Sequence, residues 1–286
     1  MSEIVIFFLH GLAYAGLLFL VSAGLTLVFG MMNVLNFAHA AMYMLGAYIS
    51  YSLVTVTGRF WPSLVLAPVV LFIVGALVER FLLRRAHRFG HLHELLLTFG
   101  LAYIVTELVK WVWGSSPLPV NTGGLLGASV SLFGILYPVY RIFIFGCALL
   151  VGLVMALILY RTRLGIVLRA AVNDAEMVGA LGIDVPLVFT CVFGFGAALS
   201  GFAGVIAGPL LTTYPGMAGD ILVAAFVVIV VGGFGSLGGA VVASLLIGEL
   251  QSFGVLLFPK LSLALMYLLM AAVLIVKPSG LFGEKQ

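Results

Sequence analysis

The chain has 286 residues, of which 64% are apolar and only 8% charged, with a mean hydropathy of +1.30 and a formal charge of +3. That composition excludes a soluble globular domain, and a small positive charge scattered over the connections excludes a nucleic-acid-binding surface. Lipid offers the backbone no hydrogen bonds, and the apolar runs lack the alternation of barrel strands, so the spans are expected to be helices.

The first apolar run covers 4–30. It lacks a basic leader and is too long for a signal peptide, so it reads as the first span, with His10 as a packing residue. The second run, 33–56, opens Met-Met-Asn-Val-Leu-Asn-Phe-Ala-His and spaces Asn33, Asn36 and His39 at i, i+3, i+6 along one side of a helix. Amide and imidazole groups are costly in lipid and face a bundle interior or a wet cavity. They either hydrogen-bond between helices or line a translocation path, with a broken helix start as a variant. Runs at 61–79 and 94–113 follow, joined over 79–93 by a connection holding Arg80, Arg84, Arg85, Arg88, His87, His91 and His93. The histidines resemble a metal box, but a membrane metal centre needs further histidine clusters, so the segment reads as a basic loop at the headgroups. Glu107 and Lys110 form an i, i+3 pair near a helix end. The connection 114–138 carries Ser-Ser-Pro and Asn-Thr-Gly-Gly and reads as a small external cap before the run 139–160.

Residues 161–184 are too long for a tight turn and read as helical. They gather Arg169, Asn173, Asp174, Glu176, Gly179 and Gly182 in a structured loop placed to be touched by something. In the next run, 185–207, Gly196, Ser200 and Gly204 recur every four residues, and Gly208 extends the ridge. Such small residues allow close helix approach, within the chain or at a subunit interface. The run 220–233 is short for a span, at about 14 residues, and suits a half-helix or re-entrant piece. It leads into Gly233-x-Gly235-x-x-Gly238, formally a dinucleotide fingerprint. No strand–helix alternation or second-strand acid supports that reading, so the glycines are expected to form a tight turn. The run 238–258 holds Glu249 near its middle, either a functional carboxylate or one that pairs with a helix or is protonated. The last run is 261–276. Cys147 and Cys191 stand alone in apolar runs as packing residues.

Nine crossings put Arg80, Arg84, Arg85, Arg88, Arg161, Arg163, Arg169, Lys277 and Lys285 on one face and leave Arg59, Lys110, Arg141 and Lys260 on the other. The richer face is then cytoplasmic, with the N-terminus outside and the C-terminus inside. The expected fold is an all-α integral membrane protein, a polytopic bundle of about 8–9 transmembrane helices forming one domain over 1–286. In that domain 79–93 and 161–184 are cytoplasmic loops and 114–138 is an external one. There is no Walker A sequence and no nucleophile–base pair, so any ATP hydrolysis would reside in another chain, and no cofactor is implied.

Three stretches together resemble the inner-membrane permease subunits of bacterial branched-chain amino acid ABC importers, the hydrophobic amino acid uptake family. They are Gly24 to Tyr48 (G-L-T-L-V-F-G-M-M-N-V-L-N-F-A-H-A-A-M-Y-M-L-G-A-Y), Arg169 to Asp184 (R-A-A-V-N-D-A-E-M-V-G-A-L-G-I-D), and Ala224 to Ala240 (A-A-F-V-V-I-V-V-G-G-F-G-S-L-G-G-A). Leu97-Thr-Phe-Gly100 resembles a further landmark. Ala40 stands where glycine is usual, and Gly239 where proline is often seen. The resemblance implies a second homologous permease subunit, two cytoplasmic ATP-binding cassette ATPase subunits and a periplasmic substrate-binding protein around a path through the bilayer. It makes 161–184, centred on a short helix over 169–182, the coupling loop that docks on the ATPases. Asn33, Asn36, His39 and Glu249 become candidates for the path. Relatives that carry short-chain amides or urea leave a second cargo open. An ion-coupled secondary transporter using Glu249 and His39 is the rival of a different class.

Overall fold

A computed structural model of the protein describes residues 2–32, 35–132 and 134–283. In chain order, α1 (Ser2–Met32) and α2 (Ala38–Thr57) are followed by α3 (Ser63–Val78). The last continues through a π-helical turn (Glu79–Leu83), α4 (Arg84–Ala86) and a 3-10 turn (His87–Phe89). After α5 (His91–Trp113) come the strands β1 (Ser129–Leu132) and β2 (Ile135–Pro138), then α6 (Val139–Arg161), α7 (Arg163–Asn173) and α8 (Ala175–Ala180). The chain finishes with α9 (Val185–Leu211), α10 (Met217–Gly232), α11 (Leu237–Leu257) and α12 (Ser262–Val276). Seven of these rods are long and apolar enough to cross a membrane, and α10 and α12 are shorter apolar helices. The fold is the expected all-α polytopic bundle, and each predicted run has its helix.

The elements end where the local chemistry stops them. Gly58 closes α2 at φ +67°, a left-handed conformation that favours glycine. Asp184 caps α9 by accepting from the Leu187 N–H at 3.0 Å, and Ser236 caps α11 by accepting from Gly239 at 3.0 Å. The Gly233–Gly238 segment is a turn between α10 and α11, with Gly233 at φ +102° and Gly235 at φ +74°. Residues after α12 fold back over it: the Leu281 N–H donates to Val231 O at 2.8 Å and the Phe282 N–H to Gly232 O at 2.9 Å.

Two expectations are corrected. A helix over 33–56 does not form, because α2 starts at Ala38 and Leu35–Asn36 are not helical, so Asn36 and His39 share no helix face. Asn33 lies outside the described residues. The single coupling helix over 169–182 is two helices, broken at Asp174, where the backbone is extended (φ −152°, ψ 90°) so that its side chain can cap α8.

Helices α1, α2, α9 and α10 form the inside of the bundle, with α9 packed on α1, α2 and α3 and α1 packed on α6, α10 and α11. Val65, Val69 and Ile73 on α3, Leu96 and Ile104 on α5, and Leu149, Leu153 and Leu157 on α6 are exposed. That apolar girdle suits acyl chains and would be an aggregation surface in water. Lipid is as apolar as leucine, so close packing has to hold the inner helices together. Gly46 lies on the Gly201 backbone, Gly204 on the Tyr43 carbonyl, and a Cβ at Gly75 would meet Ala197 Cβ at 2.5 Å.

At the end of the bundle away from the glycine turn, β1 and β2 pair antiparallel with Ser129 opposite Pro138 and Leu132 opposite Ile135. Leu118 bonds both ways with Thr213, tying this connection to the α9–α10 link at 2.8 and 3.0 Å.

Candidate functional site

The predicted coupling segment begins with a sharp reversal after α6. Thr162 caps α7, its hydroxyl accepting from the Gly165 N–H at 3.3 Å. Gly165 sits against the Leu159 carbonyl, where no Cβ would fit. The Arg169 guanidinium then donates to the same carbonyl at 2.6 Å and lies over the Tyr160 ring at 5.7 Å. Arg169 therefore fastens α7 to α6. Asn173 donates back to Arg169 O at 3.0 Å, and Asp174 accepts from the Met177 N–H at 2.8 Å. Glu176 and Gly179 are exposed on α8, and Gly182 turns the chain at φ +85°. From Val172 to Gly182 only Val178 is buried, packed with Ala171 and Val185. Val172, Met177 and Leu181 stand out among the polar groups of this surface.

Beneath it lies a network that sequence spacing did not reveal. Glu79, almost fully buried in the π-turn, pairs with Arg84 at 3.3 Å and accepts a hydrogen bond from the Thr190 hydroxyl. Arg84 Nη2 also donates to Thr190 Oγ1 at 2.7 Å and to Pro186 O at 2.8 Å. The extension of α3 thus holds the first turn of α9. A cleft of about 410 Å³ lies alongside, bounded by Met31, Met32, Arg84, Val172, Ala175 and Phe189. Nearby, His87 Nδ1 is 2.5 Å from Oε1 of the buried Glu94, with His91 at 3.6 Å from Oε2. His93 packs on Phe89 with the rings tilted, 5.7 Å between centroids. These histidines cover an acid beside the arginines.

The polar candidates at membrane depth fall in separate places. His39 is buried, with Nε2 3.0 Å from Val21 O and its ring against Gly24, while its own carbonyl accepts from Ser200 at 2.6 Å. Gly24 lies eight residues before the end of α1, about 12 Å along a helix axis. Helix α2 therefore begins inside the bundle, above the end of α1. Non-helical backbone at that depth must be satisfied by protein or water, and the Phe37 N–H finds Thr98 Oγ1 at 3.3 Å. Asn36 beside it is buried with Oδ1 lacking a partner among the described residues. Glu249 is remote from both. Its two carboxylate oxygens are buried without partners among the described residues, and a Cβ on Gly11 would come within 2.5 Å of Oε2.

The small-residue ridge of α9 faces inward. Gly196 meets Gly24 and Val28, Ser200 meets α2, Gly204 the Tyr43 carbonyl, and Gly208 meets Val120 and Thr213. His10 stacks on Tyr137 at 5.4 Å, and Lys110 bonds Glu107 at 2.7 Å.

One further acid was missed because the predicted run began at it. Helix α10 starts at Met217, which places Asp220 inside the helix, exposed on one side. Tyr214 from the α9–α10 link donates its hydroxyl to Asp220 Oδ2. That bond, followed by burial, pushes the Tyr214 hydroxyl up to about 12, so it stays a donor at physiological pH.

The family described as branched-chain amino acid transport system / permease component matches residues 7–274. The high-affinity branched-chain amino acid transport system permease protein BraD of Pseudomonas aeruginosa is 28% identical over 97% of this chain and 95% of its own length. The permease protein LivH of Escherichia coli K12 is 28% identical over 100% of this chain and 99% of its own. A probable LivH of Methanocaldococcus jannaschii is also 28% identical, over 94% and 90%. No solved structure matches.

Proposed function

Since this chain belongs to the family of branched-chain amino acid transport permease components, we propose that it is the membrane subunit of an ATP-driven importer of branched-chain amino acids. It pairs with a second permease subunit, is driven by two cytoplasmic ATPases and receives cargo from a periplasmic binding protein. The basic end of the bundle is the cytoplasmic one, which places the N-terminus outside and the C-terminus inside.

The observation that carries this reading is the α7–α8 surface. Two short capped helices present a nearly continuous exposed face from Val172 to Gly182, and the Glu79–Arg84–Thr190 network grips the chain just beyond it. A push delivered there by a closing ATPase would act on α9, whose ridge touches α1 and α2. Asn36, with an unmet amide oxygen at a break in the helices, is our candidate for polar lining of the path. His39 and Glu249 lie against α1 and would tune its packing as the path opens.

Reconstitution of the chain with its ATPase, permease and binding-protein partners in proteoliposomes tests the assignment. Leucine uptake that needs both ATP and binding protein is expected. Uptake driven by an ion gradient without ATP would refute it.

A further inference from the structure

Helix α10 has 16 residues and spans about 24 Å, less than the ~30 Å hydrocarbon core. Its far end, Gly232, is held at the cytoplasmic glycine turn, where Gly235 lies against Gly30 of α1. Asp220, twelve residues from Gly232, therefore stands about 18 Å above that turn, inside the membrane. Its carboxylate is exposed, and no cation among the described residues pairs with it. An ionised side chain facing acyl chains at such depth costs about 2.5–3.5 kcal/mol or more. The helix dipole returns only about 0.3–1 kcal/mol at a first-turn acid. Lipid is therefore not what this face of α10 meets.

The surroundings describe what would fit. Tyr214 occupies Oδ2 and leaves Oδ1 open. An ammonium group brings three N–H donors, matching the open carboxylate oxygen and the Tyr214 phenol oxygen beside it. Val223, three residues on and exposed on the same face, offers aliphatic surface next to the charge.

We propose that Asp220, with Tyr214, binds the ammonium group of the amino acid in transit while its side chain rests over Val223. This rests on the importer reading above and deepens it. An uncharged amide or urea can donate to the carboxylate but brings no positive charge, so the site favours amino acids over those cargoes.

The test uses the full reconstituted importer with wild-type, Asp220→Asn, Asp220→Glu and Tyr214→Phe chains. Asp220→Asn should lower leucine uptake by roughly tenfold or more, with complex yield unchanged and more ATP hydrolysed per leucine moved. Asp220→Glu should recover part of the rate, and Tyr214→Phe should fall between. Wild-type uptake by Asp220→Asn would overturn the site while leaving the importer standing. So would loss of the second permease from that variant's complex, because Asp220 would then be pairing with a protein cation. If the wild-type importer moves an amide under ATP but no leucine, the ammonium site and the amino-acid cargo fall while the ATP-driven importer stands; if uptake ignores ATP, all three fall.

Discussion

Arg84 donates to the carbonyl of Pro186 at 2.8 Å, two residues after Asp184 caps the start of α9. Together with Glu79 and Thr190 it makes a junction between α3 and α9 just beyond α8. All three contacts are made by Nη2 at the tip of the guanidinium, and a lysine ammonium ends about one bond short of that position, so it would not keep all three.

Arg84→Lys should accordingly reduce uptake per ATP hydrolysed, and Arg84→Ala should reduce it by roughly tenfold, equivalent to ~1.4 kcal/mol of coupling. Glu79→Gln keeps the hydrogen bonds and loses the charge, so it should fall between. Uptake and ATP hydrolysis measured on the same vesicles check this. Loss of both rates in parallel would make the junction merely structural.

The docking face makes a separate demand. Gly182 has φ +85°, so Gly182→Val is strained by about 1–3 kcal/mol. Asp174→Lys removes a cap worth about 1 kcal/mol and reverses a charge. Both changes should weaken co-purification of the ATPases and cut binding-protein-stimulated hydrolysis while the chain still inserts. Retention of normal stimulation by both variants would exclude this face as the contact.

Asn36→Leu separates transport from stability. Its Oδ1 is already buried without a partner, so removing it costs little and even relieves a penalty of about 1–3 kcal/mol. The detergent melting temperature should hold or rise while uptake falls. A lower melting temperature with normal uptake per complex would return Asn36 to packing.

Glu249 and Gly11 should be non-additive. A Cβ at Gly11 would press on the Glu249 carboxylate at 2.5–2.8 Å. Gly11→Ala should destabilise the wild type yet be nearly harmless in a Glu249→Ala background, a coupling of about 0.5–3 kcal/mol in a double-mutant cycle. Additive melting shifts would mean the carboxylate moves aside freely.

Among the helical glycines, Gly204→Ala should block assembly, because its Cβ would collide with the Tyr43 carbonyl. Gly146→Ala meets nothing and should stabilise by about 0.5–1 kcal/mol. Size-exclusion profiles of the two variants read the contrast directly.

Helix existence was legible because the need to satisfy backbone groups in lipid acts locally and shows as apolar length. The breaks were harder. Asn36 and His39 keep a helical spacing, yet tertiary contacts to Thr98 and Val21 draw the chain out of that helix. Asp174 ends one helix and caps the next, a choice that charge and alanine content alone do not express. Asp220 was missed because an acid at the edge of an apolar run looks like its boundary until the helix is seen to start at Met217. The Glu79–Arg84–Thr190 junction joins positions more than a hundred residues apart, and no local pattern announces that.

The last helical carbonyls of α10 receive their donors from Leu281 and Phe282. During synthesis those two amides leave the ribosome some fifty residues after Gly232, about 3–10 s later at bacterial elongation rates. Until then the glycine turn has no lid, and the inner end of α10 depends on water for its final hydrogen bonds. This seam is therefore closed by residues made after α12, and a chain cut just before Leu281 would leave it open.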